Sequence, residues 1–296
     1  MEHMDDVALY APMTYDESGY PRYAFPANHP AHGDEDYTER RNRIAHLGAQ
    51  HVYGTPAPEI DYHERDHETW RVIQRSLAER HDEYAATDVV KWAAELALPA
   101  DRVPQLNEVT ERLTAMTGFG LQPAVGFVPI EEFYGVQADR RFYAAQFIRH
   151  HSQPLFSPEA DVVHELVGHA PALGNPKVAE LYRLTGEAVR RVAEPRTIEL
   201  ISRIFWFTLE YGVIEEGGQF RAYGAGLLSS FGELERFREA DIRPLDLKGM
   251  ATTEYDITDY QHVLFAGRSI DHVHEFFSEF LRTVDDEDPD RIGVSF

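Results

Sequence analysis

The sequence predicts a mainly α-helical domain with a few short strands. Apolar residues recur at helical spacing through most of the chain between Tyr37 and Val213. Hydrophobic residues make up 43% of the 296 positions, enough for a core. No internal repeat and no Ser/Gly linker interrupts the pattern, so residues 37–284 read as one domain. It is flanked by a loosely ordered arm, 1–36, and an acidic tail, 285–296.

Residues 1–36 are rich in Pro, Gly, Asn, His and acids, with weak periodicity. From Tyr37 the pattern turns helical: Ile44, Leu47 and Val52 lie among charges, and Trp70, Ile73 and Leu77 follow at helical spacing. Val89, Trp92 and Leu96 give a third apolar face, ended by Pro99. Asn107–Met116 reads as another helix, closed by Gly118. Phe119–Val128 is punctuated by Gly and Pro and suits a short strand and loop, whereas Phe142–Ile148 has no clear period. A helix is expected from about Pro158 through Gly168, stopped by Pro171. Two more are expected over 176–193 and 197–213, followed by a hairpin at Gly217-Gly218. Asp285–Asp290 reads as a solvated end.

Composition narrows the function. The 28 Lys and Arg stand against 51 Asp and Glu, so the formal net charge is 28 − 51 = −23. Such a chain is a poor ligand for nucleic acid or an anionic membrane surface. Zero cysteines exclude disulfides, thiolate metal sites and Cys nucleophiles. No signal-peptide pattern opens the chain and no run of 18 apolar residues occurs, so a cytoplasmic protein is expected.

The segment that carries chemistry is Asp161-Val-Val-His164-Glu165-Leu-Val-Gly168-His169-Ala-Pro171. Two histidines with a glutamate beside the first suggest a zinc-protease helix, but that motif spaces its histidines four apart. Here they are five apart, about 140° around an ideal α-helix. They meet on one metal only if the helix unwinds or bulges, which the flanking Gly168 and Pro171 would permit. Glu210 lies in the apolar run Trp206–Gly212, where a carboxylate needs a partner or a metal. Two His and one carboxylate is the facial triad of non-haem Fe(II) oxygenases. The spacing alone leaves open that all three are ordinary helix residues. It also leaves a zinc hydrolase with Glu165 as base, or a non-catalytic metal or interaction module.

Asp161–Pro171 resembles the metal-binding segment of the tetrahydropterin-dependent aromatic amino acid hydroxylases. Gln146-Phe-Ile-Arg149-His150, Pro154–Asp161, Trp206–Gly212 and Tyr223–Glu233 match further segments of that family in the same order. The resemblance spans roughly 60–280 and implies the family's catalytic-domain fold, with helices around an iron-containing cleft. The family's regulatory domain and oligomerisation helix have no counterpart in so short a chain, so a monomer is expected. The resemblance makes His164, His169 and Glu210 the Fe(II) ligands. It assigns Arg149 to the substrate carboxylate, oriented by Asp161, and places Ser229 near that carboxylate and the first His. Ser157 would lie near the amino group. Pro158 and Trp206 would wall the ring pocket, with Tyr211 and Gly226 shaping it. For the tetrahydropterin, Phe133 would stack on the bicycle and the backbone at Phe127 and Val128 would bond its edge. Glu165 would reach it through water and Phe205 would pack beside it. Tyr143, Ala160 and Ser202 depart from the family's usual His, Pro and Ala.

The implied reaction is ring monooxygenation of a free aromatic amino acid by O2 and a reduced pterin. Trp206, and an apolar Ile257 where tyrosine hydroxylases carry an acid, point to phenylalanine as substrate. Tyr211 and Gly226 are compatible with para attack giving tyrosine. Meta attack, or tryptophan as substrate, is the alternative.

Overall fold

The computed structural model describes residues 11–257, 259–294 and Phe296. The chain runs through α1 (Glu35–Ala49), α2 (Glu64–Tyr84), α3 (Thr87–Leu96) and α4 (Leu106–Thr117) before its first buried strand. Asp34 caps α1 by accepting from Tyr37 N at 2.9 Å, and Gly118 ends α4 at φ +83°, as a left-handed C-terminus requires. Gly120–Pro123 and Arg141–Ala144 then pair in parallel, bracketing α5 (Ile130–Gly135). Gly120–Pro123 is buried throughout and Arg141–Ala144 at alternate positions; the run Phe142–Ile148 shows no clear period because only its first three residues are strand.

Helices α6 (Ala170–Leu173), α7 (Pro176–Arg191) and α8 (Pro195–Phe205) form the centre of the domain. Asn175 starts α7 by accepting from Lys177 N and Val178 N, with Pro176 at the first helical position. The α7 face that carries Leu181, Tyr182 and Thr185 is buried. Its neighbours Phe119, Phe142 and Phe205 are among the largest fully buried side chains. Truncating one such aromatic to Ala typically costs about 3–5 kcal/mol.

The second half turns on a four-stranded mixed sheet. Val213–Glu216 and Gln219–Ala222 form the expected hairpin, with Gly217 and Gly218 at φ +61° and +75°, the geometry that a two-residue turn demands. Val263–Gly267 adds in parallel, and Asp241–Pro244 pairs on its far side. Short helices α9 (Ala225–Ser229), α10 (Phe231–Arg236) and α11 (Leu247–Thr252) link these strands; α12 (Ile270–Thr283) and α13 (Asp288–Ile292) complete the chain.

Three stretches differ from the sequence expectation. Where a helix was expected from Pro158, Asp161 instead caps a helix that begins at Val162, because its carboxylate accepts from His164 N at 3.3 Å. That helix does not stop at Pro171, since proline's missing N–H falls at the start of α6. The helix over 197–213 ends at Glu210, where the hairpin takes the chain.

Both flanks carry structure. In the arm, Met13–Tyr15 and Pro21–Tyr23 pair as a hairpin, and its first ten residues lie outside the described set. Arg41, 3% exposed, ties α1 to the Ser157–Asp161 loop through Glu159 at 2.8 Å. In the tail, Asp286 accepts from Ala193 N and Glu194 N at the start of α8, and Arg196 holds Asp290 through two 2.7 Å bonds. Among the described residues no helix is long and apolar enough to cross a membrane.

Candidate metal centre and its surroundings

The five-residue spacing of the histidines is resolved by a π-helix. His164–His169 closes on i→i+5 bonds, with Ala170 N donating to Glu165 O. In that register residues five apart stand nearly one above the other, so the two imidazoles share a face. Trp206–Glu210 is π-helical too, with Tyr211 N donating to Trp206 O at 2.8 Å. Gly168 contributes by its size rather than by unwinding: a Cβ there would come within 2.6 Å of Ala225 O on α9.

Three donor atoms converge. His169 Nε2 lies 3.0 Å from His164 Nε2 and 3.1 Å from Glu210 Oε1, and His164 Nε2 is 3.6 Å from Glu210 Oε2. Ligand bonds of about 2.1 Å meeting at right angles would set neighbouring donors about 3 Å apart. The distal nitrogens are both engaged. Ser229 Oγ donates to Ala225 O at 2.8 Å, so it accepts from His164 Nδ1 at 3.0 Å and leaves a lone pair on Nε2. His169 Nδ1 meets Tyr182 Oη at 2.8 Å. Two imidazole edges and a carboxylate on one point form a donor set that a divalent cation satisfies.

Electrostatics set the two histidines apart. Burial, with His169 close by, pushes His164 down to about 4, which favours the neutral imidazole that can offer a lone pair. Burial also opposes charge on His169 and on Glu210, but their mutual attraction outweighs it, raising the imidazole and lowering the carboxyl. Glu165 lies within 4.8 Å of both histidines and is therefore a rival third ligand. Glu210 is the better one: it sits closer, and burial pushes Glu165 up to about 8, disfavouring its anion. Glu165 Oε1 accepts from Ala145 N at 3.3 Å.

Arg149 is 6% exposed and Asp161 fully buried. Asp161 receives Arg149 Nε at 2.9 Å, Nη2 at 2.8 Å and the Arg149 backbone N–H at 2.7 Å. Burial works against the Asp161 anion, but the guanidinium holds its carboxyl below the usual range. This grip uses one edge of the fork, and among the described residues Nη1 bonds no protein acceptor. The same carboxylate caps the helix of His164, so Arg149, Asp161, His164 and Ser229 form one connected chain.

The Trp206 ring lies 4.6 Å from both Tyr211 and Tyr255. Gly226 leaves room for Tyr211, whose ring would be 2.6 Å from a Cβ there. Other sequence-assigned residues make contacts of their own. Ser157 Oγ donates to Glu159 O at 2.6 Å, beside Pro158. Phe133 is half-buried and meets Phe142 edge-on at 5.5 Å, and Phe142 in turn lies 4.7 Å from the His169 ring. Phe127 is 92% exposed and Val128 partly so. Phe205 is 1% exposed, enclosed by Tyr134 and Tyr182, which puts it behind the site as support for the His169 partner. Tyr143 donates to Glu132, and Ser202 Oγ lies 3.2 Å from Tyr134 Oη. Sequence reasoning missed Tyr182, Tyr255 and Gln261. The first two carry no local motif, and only their burial among aromatics marks them.

Residues 22–288 match the family described as biopterin-dependent aromatic amino acid hydroxylase. The chain is 43% identical over 254 residues to phenylalanine 3-hydroxylase of Streptomyces coeruleorubidus, covering 86% of this chain and 91% of that protein. It is 34% identical over 267 residues to phenylalanine-4-hydroxylase of Bos taurus, covering 87% of this chain and 58% of that one. Its structure resembles phenylalanine hydroxylase of Chromobacterium violaceum with bound iron(III) and oxidised 7,8-dihydrobiopterin. The TM-score is 0.74 at 28% identity, over 83% of this chain and 90% of that one.

Proposed function

The chain belongs to the biopterin-dependent aromatic amino acid hydroxylases, and we propose that it hydroxylates the ring of free L-phenylalanine at a ferrous site. The observation that carries this reading is the convergence of His164, His169 and Glu210 on one point, in a chain that matches the family across most of its length. When bound, ferrous iron and a reduced pterin supply activation of O2, with two electrons from the pterin and one oxygen atom delivered to the ring. The chain's own residues do the rest. His164, His169 and Glu210 would hold the iron through the three donor atoms that converge. Ser229 and Tyr182 keep the imidazole rings turned toward the centre.

Arg149 offers its free Nη1 edge to the amino acid carboxylate, while Asp161 fixes the plane of the fork. Trp206, backed by Tyr211 and Tyr255, lays an aromatic wall against the substrate ring. Phe133 and the Phe127–Val128 backbone would hold the pterin, and Glu165, anchored by Ala145 N–H, would reach it through water. Holding these partners in register and apart from bulk water is the protein's share of the catalysis.

The product is read as 3-hydroxyphenylalanine. The support is the relative named a 3-hydroxylase, at 43% identity and 91% coverage, against 34% for the bovine 4-hydroxylase. Para attack, the expectation from sequence, is the second reading; the bovine relative and the compatible Tyr211–Gly226 packing favour it. The test is to load the protein with Fe(II) anaerobically, add tetrahydropterin, admit O2, and offer phenylalanine, tyrosine and tryptophan in competition. Chromatography should show meta-tyrosine. A para product replaces the first reading by the second. Hydroxylated tryptophan alone, or no hydroxylation, overturns both.

A further inference from the structure

Gln261 makes four hydrogen bonds that bind three parts of the fold together. Its side-chain carbonyl accepts from the Trp206 indole N–H at 3.2 Å. Its amide group donates to Asp256 O at 2.7 Å and Asp259 O at 3.1 Å, and its backbone N–H donates to Glu233 Oε1 at 2.8 Å. The residue is 7% exposed, so each of these groups needs the partner it has. Arg203 grips the same loop from α8, donating to Thr253 O at 3.2 Å.

Among the described residues, the other contacts given for the Trp206 side chain are with rings. Contact with the tilted Tyr211 ring and the stacked Tyr255 ring resists separation but lets an indole slide and turn in its plane, because such contacts are broad in angle. The N–H···O bond is directional and removes that freedom. We propose that Gln261 is the positioning residue of the ring pocket, fixing how Trp206 is turned in its plane and thereby which carbon of the substrate ring is presented for hydroxylation. The inference rests on the proposed function, in which Trp206 walls the ring pocket. A residue that only closed the 253–261 loop would affect stability and leave the position of attack untouched.

The test uses Gln261→Met, which keeps the length and removes both donor and acceptor, Trp206→Phe, and the two together. The full chain is compared in two ways. On metal-free protein, the emission of Trp206 is isolated by subtracting Trp206→Phe from its parent, which removes the contribution of Trp70 and Trp92. On loaded protein, KM for phenylalanine and the meta-to-para product ratio are measured. Gln261→Met should shift the Trp206 emission, raise KM about three- to tenfold, the worth of one buried hydrogen bond, and change the product ratio. In the Trp206→Phe background Gln261→Met should change neither KM nor the ratio further. An unchanged ratio and emission in Gln261→Met, or an equal penalty with Trp206 already replaced, overturns the proposal. If the methionine variant does not fold, Gln261→Asn, one methylene short, carries the same comparison. The emission arm needs neither metal nor turnover. A chain that hydroxylated tryptophan would therefore fail the proposed substrate while still showing the Gln261-dependent shift.

Discussion

Ser229 and Tyr182 decide which nitrogen each site histidine presents, although neither faces the centre itself. Because Ser229 Oγ already donates to Ala225 O, it has only a lone pair left for His164 Nδ1, and the ligand tautomer follows. Ser229→Ala should lower Fe(II) affinity about 10- to 100-fold in a chelator competition without loss of fold. Unchanged affinity would refute the tautomer argument. The Arg149–Asp161 pair calls for a different substitution. Removing either partner strands a buried charge, at a cost of about 3–5 kcal/mol, and confuses stability with binding. Arg149→Lys keeps the charge but loses the planar fork. It should raise KM for phenylalanine more than about tenfold and change kcat much less, since the clamp acts in binding. A kcat loss with unaltered KM would reject that role. Of these residues, Arg149, Asp161, His164 and Ser229 were legible in the sequence through their motifs. Tyr182 was not, because a tyrosine on a neighbouring helix leaves no trace beside the histidine it orients.

At the scale of elements, the informative anomaly was the five-residue histidine spacing. It argued against a zincin helix and required a bulge, but a π register cannot be read from side-chain types. The strand Val263–Gly267 was also illegible, since a short, largely buried apolar run has no period that separates strand from helix. The order in the arm and tail was hidden for another reason: a short polar hairpin, and exposed acids that cap a helix, carry no apolar period. Gly168 shows how the π segment is coupled to its surroundings. With Ala225 O 2.6 Å from where a Cβ would stand, Gly168→Ala must push α9 away. That helix carries Ser229, so two properties should fall together. Thermal unfolding should show a loss of about 1–3 kcal/mol, as for an overpacked core, and metal affinity should weaken. A destabilised variant with intact affinity would show that α9 can move without disturbing His164.

For the molecule as a whole, the charge of −23 sets a field that the site must work against. Exposed charges act over about one Debye length, about 10 Å at 0.1 M salt, whereas the buried Arg149–Asp161 pair is screened little. Salt therefore separates the surface field from the clamp. Phenylalanine is a zwitterion and feels the field weakly. Its deaminated analogue, 3-phenylpropionate, has the same ring and carboxylate but carries an uncompensated negative charge, so the surface repels it. Raising NaCl from about 10 to 200 mM should tighten competitive inhibition by 3-phenylpropionate about two- to fourfold, while KM for phenylalanine changes less. If both moved equally, or inhibition weakened with salt, then capture of the carboxylate would be dominated by local charges. The acidic surface would then be irrelevant to substrate entry.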